Sequence, residues 1–194
     1  MRRIIVVTGT PGVGKSSISA ELASRIDAHL VSLGELIRGE KLYVGFDRER
    51  DTLIADIERV SRRVSEIISS AQKDIIIEGH LAADVVPAEE VTIVFVLRRD
   101  PEELKKILEE RSYAEKKIME NLAAEILDVC LFEAIKKFGV DKVCEIDVTS
   151  KSIGDVVQEI LDVLSGLRER KVGVVDWLGK LEAEGKLEEY LGKF

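Results

Sequence analysis

The chain is poor in the residues that staple or punctuate small folds: three prolines, two cysteines, two histidines and one tryptophan among 194 residues. Cys130 and Cys144 both sit in apolar runs, and their spacing is not that of metal ligands. A disulfide framework or a zinc site is therefore not expected, and both read as reduced packing residues. No apolar run approaches the ~18 residues that a membrane helix needs. The short apolar run at the N-terminus leads into a glycine-rich loop, not into a signal-peptide cleavage site. The expectation is a cytoplasmic protein with no membrane partner. Positive charge is in deficit, with 29 Lys and Arg against 37 Asp and Glu and a formal net charge of −8. Strong direct nucleic-acid binding is driven by basic residues that displace counterions from the phosphates, so this balance argues against it. What remains is 45% hydrophobic and 34% charged residues, a globular composition with enough chain for one well-packed domain and an appendage.

Residues 8–17, Thr-Gly-Thr-Pro-Gly-Val-Gly-Lys-Ser-Ser, organise the rest. They follow the apolar run Ile4-Ile5-Val6-Val7 and open a helical pattern that runs to about Arg25. The stretch matches the phosphate-binding loop template: glycine, four residues, then Gly-Lys-Ser. Glycines let the backbone turn its N–H groups toward phosphate oxygens, and the following helix N-terminus adds partial positive charge. Lys15 is a point charge for the β- and γ-phosphates, and the Ser16 hydroxyl suits Mg²⁺.

The remaining chain alternates strands and helices. Strands are expected at residues 3–7, 28–31, 74–78, 91–97 and 142–147, all short and, apart from 28–31, rich in β-branched residues. Helices are expected at 33–39, 52–70, 101–111, from about 118 to 138, and from 153 to about 164. Asp100-Pro101-Glu102-Glu103 is a strong helix start. Residues 172–175 read as a short strand or linker, and 176–194 as one or two short helices bearing Trp177, Leu181, Tyr190 and Phe194. These helices either pack back on the domain or dock a protein. The pattern predicts an α/β three-layer P-loop NTPase fold, a five-stranded parallel sheet with helices on both faces. Ligands belong beyond the carboxyl ends of its strands. The loop, Glu78–His80, Arg98, Arg99 and Lys151 all fall there.

Several P-loop classes are disfavoured. A guanine-reading Asn-Lys-x-Asp motif is absent, and only Ile75-Ile76-Ile77-Glu78 competes for the role of a Walker B strand. A small-molecule kinase needs an acceptor pocket and mobile arginines that neutralise the migrating phosphoryl group. Residues 32–55, with Arg38, and the short charged segment after Arg111 lie where these parts belong.

With these residues in view, the chain resembles adenylate kinase isoenzyme 6 and its archaeal counterparts, short-lid nucleoside monophosphate kinases also linked to small ribosomal subunit assembly. The resemblance is carried by Thr8–Ser17, Gly34-Glu35-Leu36-Ile37-Arg38, Glu78-Gly79-His80, residues 93–98, Arg111-Ser112-Tyr113-Ala114-Glu115-Lys116-Lys117, Asn121 and Glu125-Ile126. It covers about residues 3–165. It implies a kinase domain at 1–165, with 32–55 as acceptor-nucleotide segment and 110–120 as a short lid, followed by a C-terminal helical extension at 166–194. It implies that Gly12, Gly14, Lys15, Ser16 and Ser17 hold ATP phosphates, with Arg111 and Lys151 also on ATP and Arg38 on the AMP phosphate. Lys15, Arg111, Glu78 and His80 would be catalytic, and Ser16 with Glu78 would hold Mg²⁺. The implied activity is transfer of the ATP γ-phosphoryl group to AMP. The implied partner is a small-subunit ribosomal protein, with ATP hydrolysis as the alternative primary activity. Two departures stand out. Many relatives carry Asp where Glu78 stands, and an arginine four residues before the lid arginine is replaced by Ile107, which leaves Arg98, Arg99 or Lys106 to compensate.

Overall fold

The computed structural model describes residues 2–192; Phe194, expected in the tail helix, lies outside the described residues. The strands of the main sheet are β1 (Ile4–Thr8), β2 (His29–Ser32), β5 (Ile75–Glu78), β6 (Ile93–Arg98) and β7 (Val143–Asp147). They lie in the order β2-β5-β1-β6-β7, and each neighbouring pair is parallel. Alternate residues of these apolar strands feed two separate cores, as the period of two demands. Ile5, Val7, Ile76, Phe95 and Leu97 face one side, whereas Ile4, Val6, Ile75, Ile77, Val94 and Val96 face the other. Helices α1 (Lys15–Ile26), α5 (Pro101–Glu110), α6 (Glu115–Ile126) and α8 (Ile153–Leu164) cover the first face. Helices α2 (Leu33–Gly39), α3 (Ile57–Ser70), α4 (Ala82–Val85) and α7 (Val129–Phe138) cover the second. This is the expected three-layer arrangement.

Two expectations need correction. First, the helix expected over 52–70 begins only at Ile57. Thr52–Ala55 is strand β4, paired antiparallel with β3 (Tyr43–Asp47). Leu53 stands four residues before Ile57, which continued the apolar period, but Ile57 is itself exposed. The Asp56 side chain accepts a 3.1 Å hydrogen bond from Arg59 N and so caps the helix start. Second, the long helix expected up to Phe138 is two helices. Asp128 breaks it in the left-handed region at φ 57°, where its carboxylate meets Arg98 Nη2 at 2.5 Å. Of the two readings of residues 172–175, strand or linker, the structure shows the linker. It runs beside β7, where Glu145 N donates to Lys171 O at 2.8 Å and Val174 N donates to the Glu145 carboxylate at 2.8 Å.

The C-terminal extension packs back on the domain. Helices α9 (Trp177–Ala183) and α10 (Leu187–Leu191) place Trp177, Leu181 and Tyr190 in the first core, beside α6. Ion pairs pin the extension to α5: Lys180 with Asp100, and Lys186 with Glu102 at 2.5 Å. Leu181 is fully buried, so Leu181→Ala should cost about 2–5 kcal/mol of stability. Urea unfolding followed by circular dichroism should show this as one shifted transition. A separate early transition would instead make the extension an independent unit.

Candidate functional site

The loop between β1 and α1 turns on glycines. Gly12 adopts φ 100°, and a Cβ there would lie 2.8 Å from Leu104 Cδ1 and 3.0 Å from Leu108 Cδ2. Only a glycine lets the loop back onto α5 this closely. Gly14 (φ 105°) then ends the loop immediately before α1. Lys15 folds over the loop and its ammonium donates to Gly9 O at 2.7 Å and Thr10 O at 2.9 Å. Loss of water around that ammonium lowers its pKa below the ordinary lysine value, and Arg111 pushes the same way. Glu78 and Glu125 oppose this.

Ser16 and Glu78 come from different elements and meet. The Ser16 hydroxyl donates to Glu78 Oε1 at 3.2 Å, with Glu78 buried at the carboxyl end of β5. A hydroxyl and one carboxylate at a phosphate loop form a hard-oxygen donor pair. That suits Mg²⁺, which keeps several waters and takes few protein ligands. The additional methylene of Glu78 does not take its carboxylate out of reach of Ser16.

Two recesses open on either side of the phosphate loop. One, of about 170 Å³, lies along the outer side of the loop and is lined by Gly12, Gly14, Ser17, Arg99, Ile107, Arg111, Lys151 and the apolar Val148, Ile153 and Val156. The other, of about 660 Å³, is lined by Lys15, Ser16, Glu78 and His80 on one wall and by Ser32, Gly34, Glu35, Arg38 and Thr52 on another. Arg111 stands at the mouth of the loop with Lys15, Ser16 and Ser17. Gly12, Gly14, Lys15, Ser16, Ser17, Arg38, Glu78, His80, Arg111 and Lys151 thus each line one of two recesses flanking the loop. Lys151 also pairs with Glu159 at 2.7 Å.

His80 follows β5 and is exposed on its outer side. Its imidazole lines the cleft, where reduced hydration, together with the nearby Lys15 and Lys117 charges, pushes its pKa down to about 4. Cys130, also on the cleft, has its thiol pushed up to about 11 by burial, which makes it an inert lining residue.

Of the three candidates to compensate for Ile107, Arg99 lines the smaller recess, with one arm on Glu103 at 2.8 Å. Lys106 is exposed on α5. Arg98 is not available at all. It is 1% exposed, and its guanidinium is committed to Glu125 at 2.9 Å, Glu145 at 2.5 Å and Asp128. Burial works against its charge, yet Glu125 and Asp128 overcome that and hold its pKa above the ordinary arginine value.

Sequence reasoning missed the rim of the larger cleft. The β3–β4 turn reaches across to α6, where Arg50 grips Glu120 through two 3.0 Å hydrogen bonds. Lys116 meets Glu49 at 2.8 Å, and Lys117 donates to Asp51 O at 3.3 Å while lying 4.5 Å from the Tyr113 ring centroid. The only signal was the density of charges over residues 47–51, opposite the charges at 115–120. The segment expected as a lid is therefore a tight turn at 111–114 and the first turns of α6.

Comparison with known proteins agrees with this geometry. The sequence profile of the AAA domain matches residues 5–128. A Methanocaldococcus jannaschii protein named "Putative adenylate kinase" is 40% identical over 176 residues, covering 91% of this chain and 93% of its own. A Methanosarcina barkeri protein of the same name is 42% identical over 184 residues, covering 90% and 97%. Among solved structures, thymidylate kinase from Candida albicans superposes with a TM-score of 0.58 at 14% identity, over 86% of this chain and 92% of that one. Shikimate kinase from Bacteroides thetaiotaomicron gives 0.57 at 16% identity, over 84% and 98%. These two speak to the fold. Near-complete coverage at about 40% identity goes further: the chain belongs to the family of archaeal proteins named putative adenylate kinase, built on the P-loop NTPase fold.

Proposed function

We propose that the protein is an adenylate kinase, moving the γ-phosphoryl group of Mg·ATP to AMP to give two molecules of ADP. The observation that carries this is a recess on each side of the phosphate loop, one against Gly12, Gly14 and Ser17 and the other against Lys15 and Ser16, with a hollow along the loop that shares residues with both. A hydrolase needs one nucleotide site and a water, whereas two sites flanking one phosphate loop suit transfer between two nucleotides. The family membership and the kinase folds of the structural neighbours support a nucleotide kinase in general. AMP as acceptor is the finer step, which rests on the 32–55 segment and on the relatives' name.

In this reading the base and ribose of ATP take the smaller recess against Ile107 and Val156, and the loop N–H groups hold the β-phosphate. AMP takes the larger cleft with its phosphate toward Arg38. An acceptor phosphate oxygen attacks the γ-phosphorus, the bond from that phosphorus to the β–γ bridging oxygen breaks, and ADP leaves. The protein contributes alignment and charge. Lys15 and Arg111 neutralise the transferring group, and the clasp between residues 49–51 and α6 closes the cleft rim against water. Ser16 and Glu78 would hold Mg²⁺, which when bound supplies further neutralisation of phosphate charge. His80, neutral near pH 7, offers the acceptor a hydrogen-bonding group without another positive charge.

A coupled assay that follows ADP and free phosphate separately tests the reaction. ADP formation that requires AMP, with no phosphate release, is expected. Steady phosphate release without AMP, rising when a small-subunit ribosomal protein is added, would replace the kinase reading with an assembly ATPase. Lys15→Ala should lower kcat by about 10²- to 10³-fold with the fold retained, as loss of one preorganised charge does. Arg38→Ala should act mainly on the AMP KM, by about tenfold.

The low pKa of His80 makes a separate prediction. Between 6.5, its unperturbed value, and about 4, the unfolded chain takes up a proton that the folded chain refuses. Stability therefore falls as pH drops through that window. The His80 imidazole carbon resonances should keep their neutral positions down to about pH 5, and His80→Gln should flatten the loss of urea stability between pH 7 and pH 5. An imidazole that titrates near its unperturbed value would remove this assignment.

A further inference from the structure

The phosphate loop is tied to the C-terminal extension through one carboxylate. Glu125 lies on α6, 1% exposed. Its Oε2 accepts a 2.6 Å hydrogen bond from the hydroxyl of Thr10, inside the loop. Its Oε1 accepts from Arg99 N at 3.1 Å, from Arg98 Nε at 2.9 Å and from the indole Nε1 of Trp177 at 3.2 Å. Thr10 is itself fully buried, and its carbonyl is one of the two that receive the Lys15 ammonium. A continuous run of hydrogen bonds thus leads from Trp177 in α9, through Glu125 and Thr10, to Lys15. None of the intervening polar groups can turn to water for a substitute partner, so displacement of one is felt by the next.

The charge balance explains why the tryptophan belongs to this run. Arg98 is one buried cation facing two fully buried carboxylates, Glu125 and Glu145. The excess negative charge has to be met by neutral donors. Thr10, Arg99 N and Trp177 supply them to Glu125, and Val174 N supplies one to Glu145. Two of these donors, Val174 and Trp177, come from the extension.

The geometry points to Glu125 as a positioning residue for the phosphate loop, with Trp177 of the C-terminal extension orienting its carboxylate, so that the extension tunes how tightly the loop grips nucleotide phosphates. This rests on nucleotide binding at the loop and is independent of which acceptor is used. Glu125 touches no phosphate in this account; it acts through Thr10.

Replacing Glu125 itself would strand Arg98 and endanger folding, so the test uses the two ends of the run. Mg·ADP affinity is measured by calorimetry for the parent, Thr10→Val, Thr10→Ser, Trp177→Phe and the Thr10→Val/Trp177→Phe double variant, with thermal unfolding of each alongside. Thr10→Val should weaken binding by about tenfold, the size of one lost hydrogen bond to a charge. Thr10→Ser, which keeps the hydroxyl, should stay within about threefold of the parent, and Trp177→Phe should lose about three- to tenfold. In the double variant the two losses should not add, because they interrupt one path. The fluorescence of Trp177, the single tryptophan, should shift when Mg·ADP binds the parent and shift less in Thr10→Val. Additive losses, or a Trp177→Phe variant that melts earlier while binding Mg·ADP unchanged, would reduce Trp177 to packing and overturn the proposal. A parent that binds no Mg·ADP would overturn the nucleotide reading of the loop, and this inference with it.

Discussion

A buried guanidinium stands at the carboxyl end of β6, and much of the site is arranged around it. Arg98 needs anionic partners, and they come from three directions: Glu125 on α6, Asp128 at the break between α6 and α7, and Glu145 on β7. Removing one partner of such a pair typically costs about 3–5 kcal/mol. The demand shapes the backbone as well as the side chains. Asp128 reaches Arg98 from a left-handed conformation, and that position is where the chain turns from a helix on one face of the sheet to a helix on the other. The second partner, Glu145, lies on the outer strand β7 and collects the linker that leads to the C-terminal helices.

The functional surface grows from that frame. The carboxyl ends of β1, β5 and β6 deliver the phosphate loop, Glu78 and Arg99 to one edge of the sheet, the edge at which a parallel α/β fold places its ligands. The loop divides this edge into a narrow, partly apolar recess and a wide polar cleft. The cations at the junction have different standing. Lys15 is held by loop carbonyls and has its charge made costly by loss of solvent. Arg111 ends a helix and is exposed, as is Arg38. A charge held by loop carbonyls at the centre with exposed charges on both sides suits a reaction whose negative charge moves between bound phosphates.

Sequence legibility followed the range of the interactions. The loop, the five parallel strands and the capped starts of α5 and α8 were readable because each is specified within a few consecutive residues. Gly12 and Gly14 turn the loop, Asp100 accepts from the N–H groups of Glu102 and Glu103, and Ser152 accepts from Asp155 N. The β3–β4 hairpin was misread because an apolar period of four ran from Leu53 into α3, while the pairing that competes with it joins Tyr43 to Ala55 across a turn. The helix break at Asp128 was invisible, since its cause, Arg98, stands 30 residues away. The clasp at the cleft rim is longer-ranged still, with Arg50 and Glu120 separated by 70 residues.

By itself, the sequence determined that the chain carries the phosphate-binding loop template at residues 8–17, folds as alternating strands and helices, and carries Glu78 and His80 to the same end of the sheet. Each follows from local spacing and from the period of burial. Only the tertiary structure decided which charges are free to act. Arg98 and Arg111 are the same residue type, each near the end of an element. The first is sealed among three carboxylates and is structural; the second stands at the mouth of the loop. It also decided that the C-terminal helices join the core and supply Trp177 to Glu125. Those outcomes depend on which side chains meet after folding, and the desolvation that makes such meetings consequential exists only once the cores have closed.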